Sequence, residues 1–123
     1  MEKEIWKEIT LVQRFTYRGG KIDRYLDFTG KGYKISSLGR LKNAYGEILT
    51  NNKIRNGFIV NNLYDVDGKM YTVSRHALIM STFRPDEYIE GSEIIFLDSN
   101  KKNLKLSNLH WHKKKSDQDW SLF

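Results

Sequence analysis

IIFLDSNKKNLKLSNLHW, residues 94–111, is the stretch whose reading decides the fold. It opens as a short apolar strand, Ile94-Ile95-Phe96-Leu97, and turns polar at Asp98-Ser99-Asn100. A Lys/Asn-rich segment follows, in which Leu104, Leu106 and Leu109 predict one buried face of a short helix. Asn108-Leu109-His110-Trp111 closes the stretch. Strand, polar loop and short helix form a common frame for placing a site on phosphate. Asp98, Asn100, Asn103 and Asn108 fit loop-bracing residues, because Asx side chains accept hydrogen bonds from nearby backbone amides. Holding a cation is the alternative role for them.

Outward from this stretch, charge is the next informative property. The chain has 123 residues and a formal net charge of +6, with a pI of about 9.5. Residues 10–60 hold ten Lys/Arg against three Asp/Glu, and residues 99–115 hold six Lys and no acid. Between them, residues 84–98 hold one Arg and five acids. Two basic regions around an acidic one fit a polarised surface that meets nucleic acid. An unevenly charged but ordinary solvated surface is the plainer reading. The length suits one domain, and 39% hydrophobic residues with seven Tyr, six Phe and three Trp argue for a folded chain. The absence of cysteine excludes disulfides and thiolate metal sites. No nucleotide-binding glycine loop, Cys/His metal spacing or nucleophile elbow occurs. No leader-like or membrane-spanning apolar run is visible, so a cytoplasmic location is expected, that of the host cell if the chain is phage-encoded.

Earlier in the chain, Trp6 and Ile9 form a small apolar anchor. Residues 11–17 and 21–28, around Gly19-Gly20, read as a β-hairpin. There Arg14, Arg18, Lys21 and Arg24 alternate with Phe15, Tyr17 and Tyr25, a mixture that suits phosphate contact and base stacking. One packed face and one solvated face would explain it equally. Strands are expected on either side of Gly39, with Ser36 and Arg40 beside the turn. Further turns are expected at Tyr45-Gly46, Asn56-Gly57 and Asp65-Gly68, and Phe58-Ile59-Val60 should pair with Met70-Tyr71-Thr72-Val73. Residues 74–83 are the best helix, with Ser74 as N-cap, a broad face of His76, Leu78, Ile79, Thr82 and Phe83, and a stop at Arg84-Pro85. A lone His on such a face more often packs than ligates.

Several of these segments resemble the HNH endonucleases, in particular the phage and intron homing type. Their core reads [D/N]-H-x-D-G-N-x-x-N-N-x-x-x-N-L-x-W, and Asp98, Asn100, Asn103, Asn108, Leu109 and Trp111 agree with it without gaps. Trp6, Ile9, Tyr33, Ile35, Ser36, Gly39 and Leu41 are similar to the W-x-x-I … Y-x-[VI]-S-x-x-G-x-[VL] module that precedes this core. His76 and Phe83 fall in register with the family's V-H-R-L-V-A-x-x-F helix. The resemblance therefore implies an α+β fold: short antiparallel β hairpins followed by a degenerate ββα-metal core. It implies an N-terminal nuclease-associated module over 1–72, with an inserted hairpin near 11–28, and an HNH-like core over 73–123, the two forming one unit. Many members continue into a separate sequence-reading helical module, for which these residues leave no room.

The positions that carry the family's chemistry differ. Phe96 stands where the resemblance places the general-base His, and Ile95 where it places a metal-binding carboxylate or amide. Ser99 replaces a Gly and Leu104 an Asn. Phe96 cannot take a proton, and Ile95 has no donor oxygen. Asp98, and Asp117 at the place of the family's final Asn, are left as weak metal candidates, since Mg²⁺ is poorly held by a single carboxylate. Losing a general base costs on the order of 10²–10⁴ in rate, and losing the metal removes the main electrostatic assistance as well. The expectation is a non-cleaving protein that binds double-stranded DNA and acts as a phage-related regulator or DNA-blocking factor. It would need no cofactor; Mg²⁺ or Mn²⁺ would matter only if cleavage survived. The expected phosphate contacts are Arg14, Arg18, Lys21, Arg24, Arg40, Lys42, Lys53, Arg55, Lys69, Lys101, Lys102, Lys105, Lys113, Lys114 and Lys115. Two alternatives stand beside this reading. One is a protein-interaction module that inhibits a host or competing enzyme through the inserted hairpin and the acidic segment at 86–93. The other is a metal-dependent nickase with a relocated site that draws on His76, His110 or His112.

Overall fold

The computed structural model describes residues 2–15, 22–50, 53–88 and 92–113. In chain order the strands are β1 (Trp6–Glu8), β2 (Leu11–Phe15), β3 (Ile22–Asp27), β4 (Lys34–Ser36), β5 (Leu41–Lys42), β6 (Lys53–Arg55), β7 (Phe58–Tyr64) and β8 (Met70–Ser74). Helix α1 (Arg75–Phe83) follows, then β9 (Ser92–Phe96) and β10 (Leu109–Lys113). All pairing is antiparallel. The sheets run β1-β4-β5, β2-β3, β6-β7-β8 and β9-β10. This is the expected α+β arrangement of short hairpins.

Local chemistry explains the turns. Asn56 and Gly57 both have positive φ, 53° and 84°, which a two-residue hairpin connection between β6 and β7 requires. Gly39, between β4 and β5, has a second reason to be glycine. Its φ is +88°, and a Cβ there would lie 2.5 Å from the Leu104 Cβ and 2.7 Å from the Leu104 carbonyl oxygen. The β4–β5 turn is thus pressed onto the backbone of the 97–108 loop. The Leu106 amide donates to the Ser37 carbonyl oxygen at 2.8 Å and fastens the same junction.

β2 and β3 pair from Leu11↔Asp27 to Phe15↔Ile22, with an irregularity at Arg14/Phe15. The hairpin expected there forms, although its Gly19-Gly20 turn lies outside the described residues. It is not a free arm: the Gln13 amide donates to Ser81 Oγ of α1 at 3.1 Å, and Val12 and Leu26 are buried. Residues from the whole described length meet in one apolar cluster, which includes Ile9, Val12, Phe28, Ile35, Leu63, Leu78 and Leu109.

Two expectations are corrected. α1 is not an amphipathic helix with one buried face: Leu78, Ile79 and Met80 are consecutive and each is 0% exposed. The helix is enclosed on most sides, and His76, Thr82 and Phe83 of the expected face are its half-buried residues. Ser74 occupies the N-cap position without a side-chain capping bond. The second correction concerns residues 101–109, which do not form a helix. β9 pairs with β10 from Phe96↔Leu109 to Ser92↔Lys113, and residues 97–108 form the connecting loop with a single 3-10 turn at Leu106–Asn108. Leu104 and Leu109 are buried and Leu106 is half-buried, as their spacing implied. Asx side chains that bond local amides compete with helical hydrogen bonding, and here they win. The helix that the resemblance implies after the second strand would fall within 114–123, outside the described residues. No helix among the described residues is long and apolar enough to cross a membrane.

Candidate nucleic-acid interface

The β9–β10 loop is built on one buried amide. Asn108 Nδ2 donates to Asp98 Oδ1 at 3.0 Å and to the Asn103 carbonyl oxygen at 2.9 Å. Its Oδ1 accepts from the Asp98 amide at 3.0 Å. Asp98 in turn accepts from the Asn100 amide at 2.8 Å and from Asn103 Nδ2 at 2.7 Å. The Asn103 side chain, the Asn100 amide and Asn108 together hold the Asp98 carboxyl below the usual carboxylate range. The four Asx residues therefore brace the loop, as their sequence pattern suggested.

The same geometry answers whether a divalent metal fits. Both oxygens of Asp98 are committed to donors inside the loop, and Ile95 and Phe96 offer none. No group of three His, Cys, Asp or Glu residues suited to a metal occurs among the described residues. The described residues do not fit a metal centre. Asp117 lies outside them.

Phe96 sits in an aromatic cluster drawn from three elements. Its ring centroid is 5.4 Å from His76 of α1 and 6.0 Å from Phe58 of β7, and Phe58 lies 4.8 Å from His76. Burial pushes the His76 imidazole down to about 4, so at neutral pH it carries no charge. The ring packs between Phe58 and Phe96, and its Nδ1 is buried without a hydrogen-bond partner. Lys101 Nζ stands 4.5 Å above the Phe58 ring, a cation–π geometry. Ile95 pairs across the hairpin with His110, and its side chain leaves β9 on the side opposite Phe96.

The expected basic residues separate into groups. Arg55 pairs with Phe58, and Lys53 with Val60. Directly paired residues share a sheet face, so Lys53, Arg55 and Phe58 lie on one side, with Lys101 over the ring. Both β6 cations are exposed. Arg24 and Lys69 flank Tyr71 at 5.3 and 5.2 Å. Tyr71 pairs with Leu63, which alternates to the opposite face of β7 from Phe58. Arg40 and Lys42 flank Trp6 at 5.6 and 3.9 Å. The Arg40 charge is already engaged by Glu4; the Arg40 hydrogen bond holds the Glu4 carboxyl down at about 2. Lys102 and Lys105 are exposed on the braced loop. Arg18, Lys21, Lys114 and Lys115 lie outside the described residues, as do the side chains of Arg14 and Lys113.

Sequence reasoning passed over Arg75. It is buried, and its guanidinium donates to Asn61 Oδ1 at 3.0 and 2.8 Å and to the Gly39 carbonyl oxygen at 2.9 Å. It ties α1 to β7 and to the β4–β5 turn, a structural role. An arginine directly ahead of a long apolar helical run was the available signal.

No family model matches the sequence, and no curated protein matches it. Among solved structures, the chain is similar to that of the HNH homing endonuclease I-HmuI, solved in work on DNA binding and cleavage by that enzyme. The TM-score is 0.61 at 23% identity, over 96% of this chain and 55% of that one. The likeness shows an HNH homing-endonuclease-like fold, and the chain spans about half the length of the chain it matches.

Proposed function

We propose that this HNH-like chain binds double-stranded DNA and does not cut it, acting as a regulator of DNA or a block to its access in a phage-related setting. The observation that carries this reading is the surroundings of Phe96. An aromatic cluster with a neutral imidazole fills the place where the family's proton-accepting group is expected, and Lys53, Arg55 and Lys101 stand around it. The Phe96 ring and the Ile95 aliphatic chain supply neither a base nor a metal ligand, and His76 is packed between Phe58 and Phe96 with its basicity lowered by burial. The cations retain what duplex affinity needs, since phosphate contacts dominate it.

The test is a salt titration of duplex binding. Contacts from three to five cations predict a log K against log[salt] slope of roughly −3 to −5. Affinity that does not change between low and physiological salt would refute the reading. A stable complex with a protein, together with weak DNA affinity, would replace it with the protein-interaction alternative.

A further inference from the structure

Leu97 is 61% exposed at the end of β9, where the chain leaves an otherwise half-buried strand. An exposed leucine alone says little, because much of any protein surface is apolar. The frame that holds this one says more. The Ser99 amide donates to the Phe96 carbonyl oxygen at 2.9 Å, closing a four-residue turn with Leu97 at its first corner. Ser99 adopts the left-handed conformation, φ 63°, that this turn needs to exit. The Leu97 amide is pinned to the Asn108 carbonyl oxygen at 2.8 Å. The next turn, Asn100 to Asn103, is closed at 3.0 Å and puts Lys101 and Lys102 at its corners. The loop thus shows an aliphatic tip on a backbone held by the Asp98–Asn108 bonds, and it also carries exposed Lys101, Lys102 and Lys105.

We propose that Leu97 is a DNA wedge: seated on a duplex, it enters between two base pairs, unstacks them and kinks the helix. This rests on the duplex-binding reading above. Three features carry it. The side chain is of the aliphatic kind that unstacks base steps in proteins that bend DNA. The backbone under it is held by hydrogen bonds within the loop, so insertion does not first have to order it. The exposed Lys101, Lys102 and Lys105 of the same loop can hold phosphates near the opened step, and Asp98, the one carboxylate of the loop, is engaged by Asn103 and Asn108. Deformability then supplies selectivity without base hydrogen bonds: TA and CA/TG steps unstack more readily than A-tracts.

The test uses a short duplex with repeated TA steps and 2-aminopurine at each of those adenines. Its fluorescence rises when a base unstacks. Wild type, Leu97→Ala and Lys101→Ala are compared at saturation, with retardation on a gel measured in parallel. The wedge predicts a several-fold rise with wild type, a rise with Lys101→Ala once it is saturated, and none with bound Leu97→Ala. Affinity of Leu97→Ala should stay within about tenfold of wild type, because the lost contact is offset by the unstacking no longer needed. An equal rise for wild type and Leu97→Ala, or no rise for either while both bind, overturns the wedge and leaves duplex binding standing. Failure of wild type to retard the duplex at low salt overturns both.

Discussion

Asn108→Ala tests whether one amide organises the candidate interface. The side chain is 7% exposed and makes three hydrogen bonds, one of them to the Asp98 carboxylate. Two such bonds at about 1 kcal/mol each and one charge-assisted bond at about 1.5–3 kcal/mol give about 4 kcal/mol. Water reaches the exposed Asp98 and the half-buried Asn103 once the amide is gone and recovers part of this, so we expect a loss of about 3 kcal/mol. Asn103→Ala, which removes a 2.7 Å bond to Asp98 and a long, weak 3.4 Å bond from the Lys105 amide at a half-buried position, should cost about 1 kcal/mol. Urea titrations at pH 7 measure both, provided that the slope with denaturant is unchanged. In a double-mutant cycle, Asp98→Ala and Asn108→Ala should couple by about 1–2 kcal/mol, because they share bonds. A loss under 1 kcal/mol for Asn108→Ala, with no coupling to Asp98, would refute the view that the loop is held by this amide.

Other consequences concern charge and close contacts. His76 is held down at about 4 against an ordinary 6.5, so the unfolded chain takes up its proton first. Stability should therefore fall as pH drops from 6.5 to 4, by about 3 kcal/mol in total, and His76→Phe should flatten that window in urea titrations. The depressed carboxyls of Glu4, Asp27 and Asp98 act in a separate, more acidic window, since their contribution is lost only as pH falls through their lowered values. Gly39→Ala must accommodate both φ +88° and a Cβ 2.5 Å from Leu104; a loss of about 2–4 kcal/mol in thermal or urea unfolding is expected, and a neutral result would contradict the tight junction. Lys101→Ala should lower the salt slope of duplex binding by about 1 and weaken all sequences alike, whereas Arg40→Ala, whose charge Glu4 already engages, should change the slope little.

What was legible in the sequence was what depends on neighbours along the chain. Asn56-Gly57 and Gly39 declared their turns because positive φ is a local demand. The Asx residues of 98–108 declared a braced loop because their partners lie within ten positions. The β9–β10 hairpin was hidden. Leu104, Leu106 and Leu109 mimic a helical face, and only the closure of Asn108 onto Asp98 shows why a loop forms instead. The enclosure of α1 was hidden too, since the residues covering Met80 come from elsewhere in the chain. Phe58, His76 and Phe96 belong to three separate elements, so no window of sequence contains their cluster. The sign of the surface charge could be read from composition. Its division between the Phe58 and Tyr71 faces follows from strand register, which only the pairing supplies.

We propose that this HNH-like fold keeps a duplex-binding surface around a place where cleavage chemistry is gone. Incubating supercoiled plasmid with wild type and with Ile95→Asp/Phe96→His, in Mg²⁺ and in Mn²⁺, tests it most directly. Wild type should retard the plasmid and leave it supercoiled in both metals, and any nicking should be confined to the double variant. Nicking by wild type would contradict it.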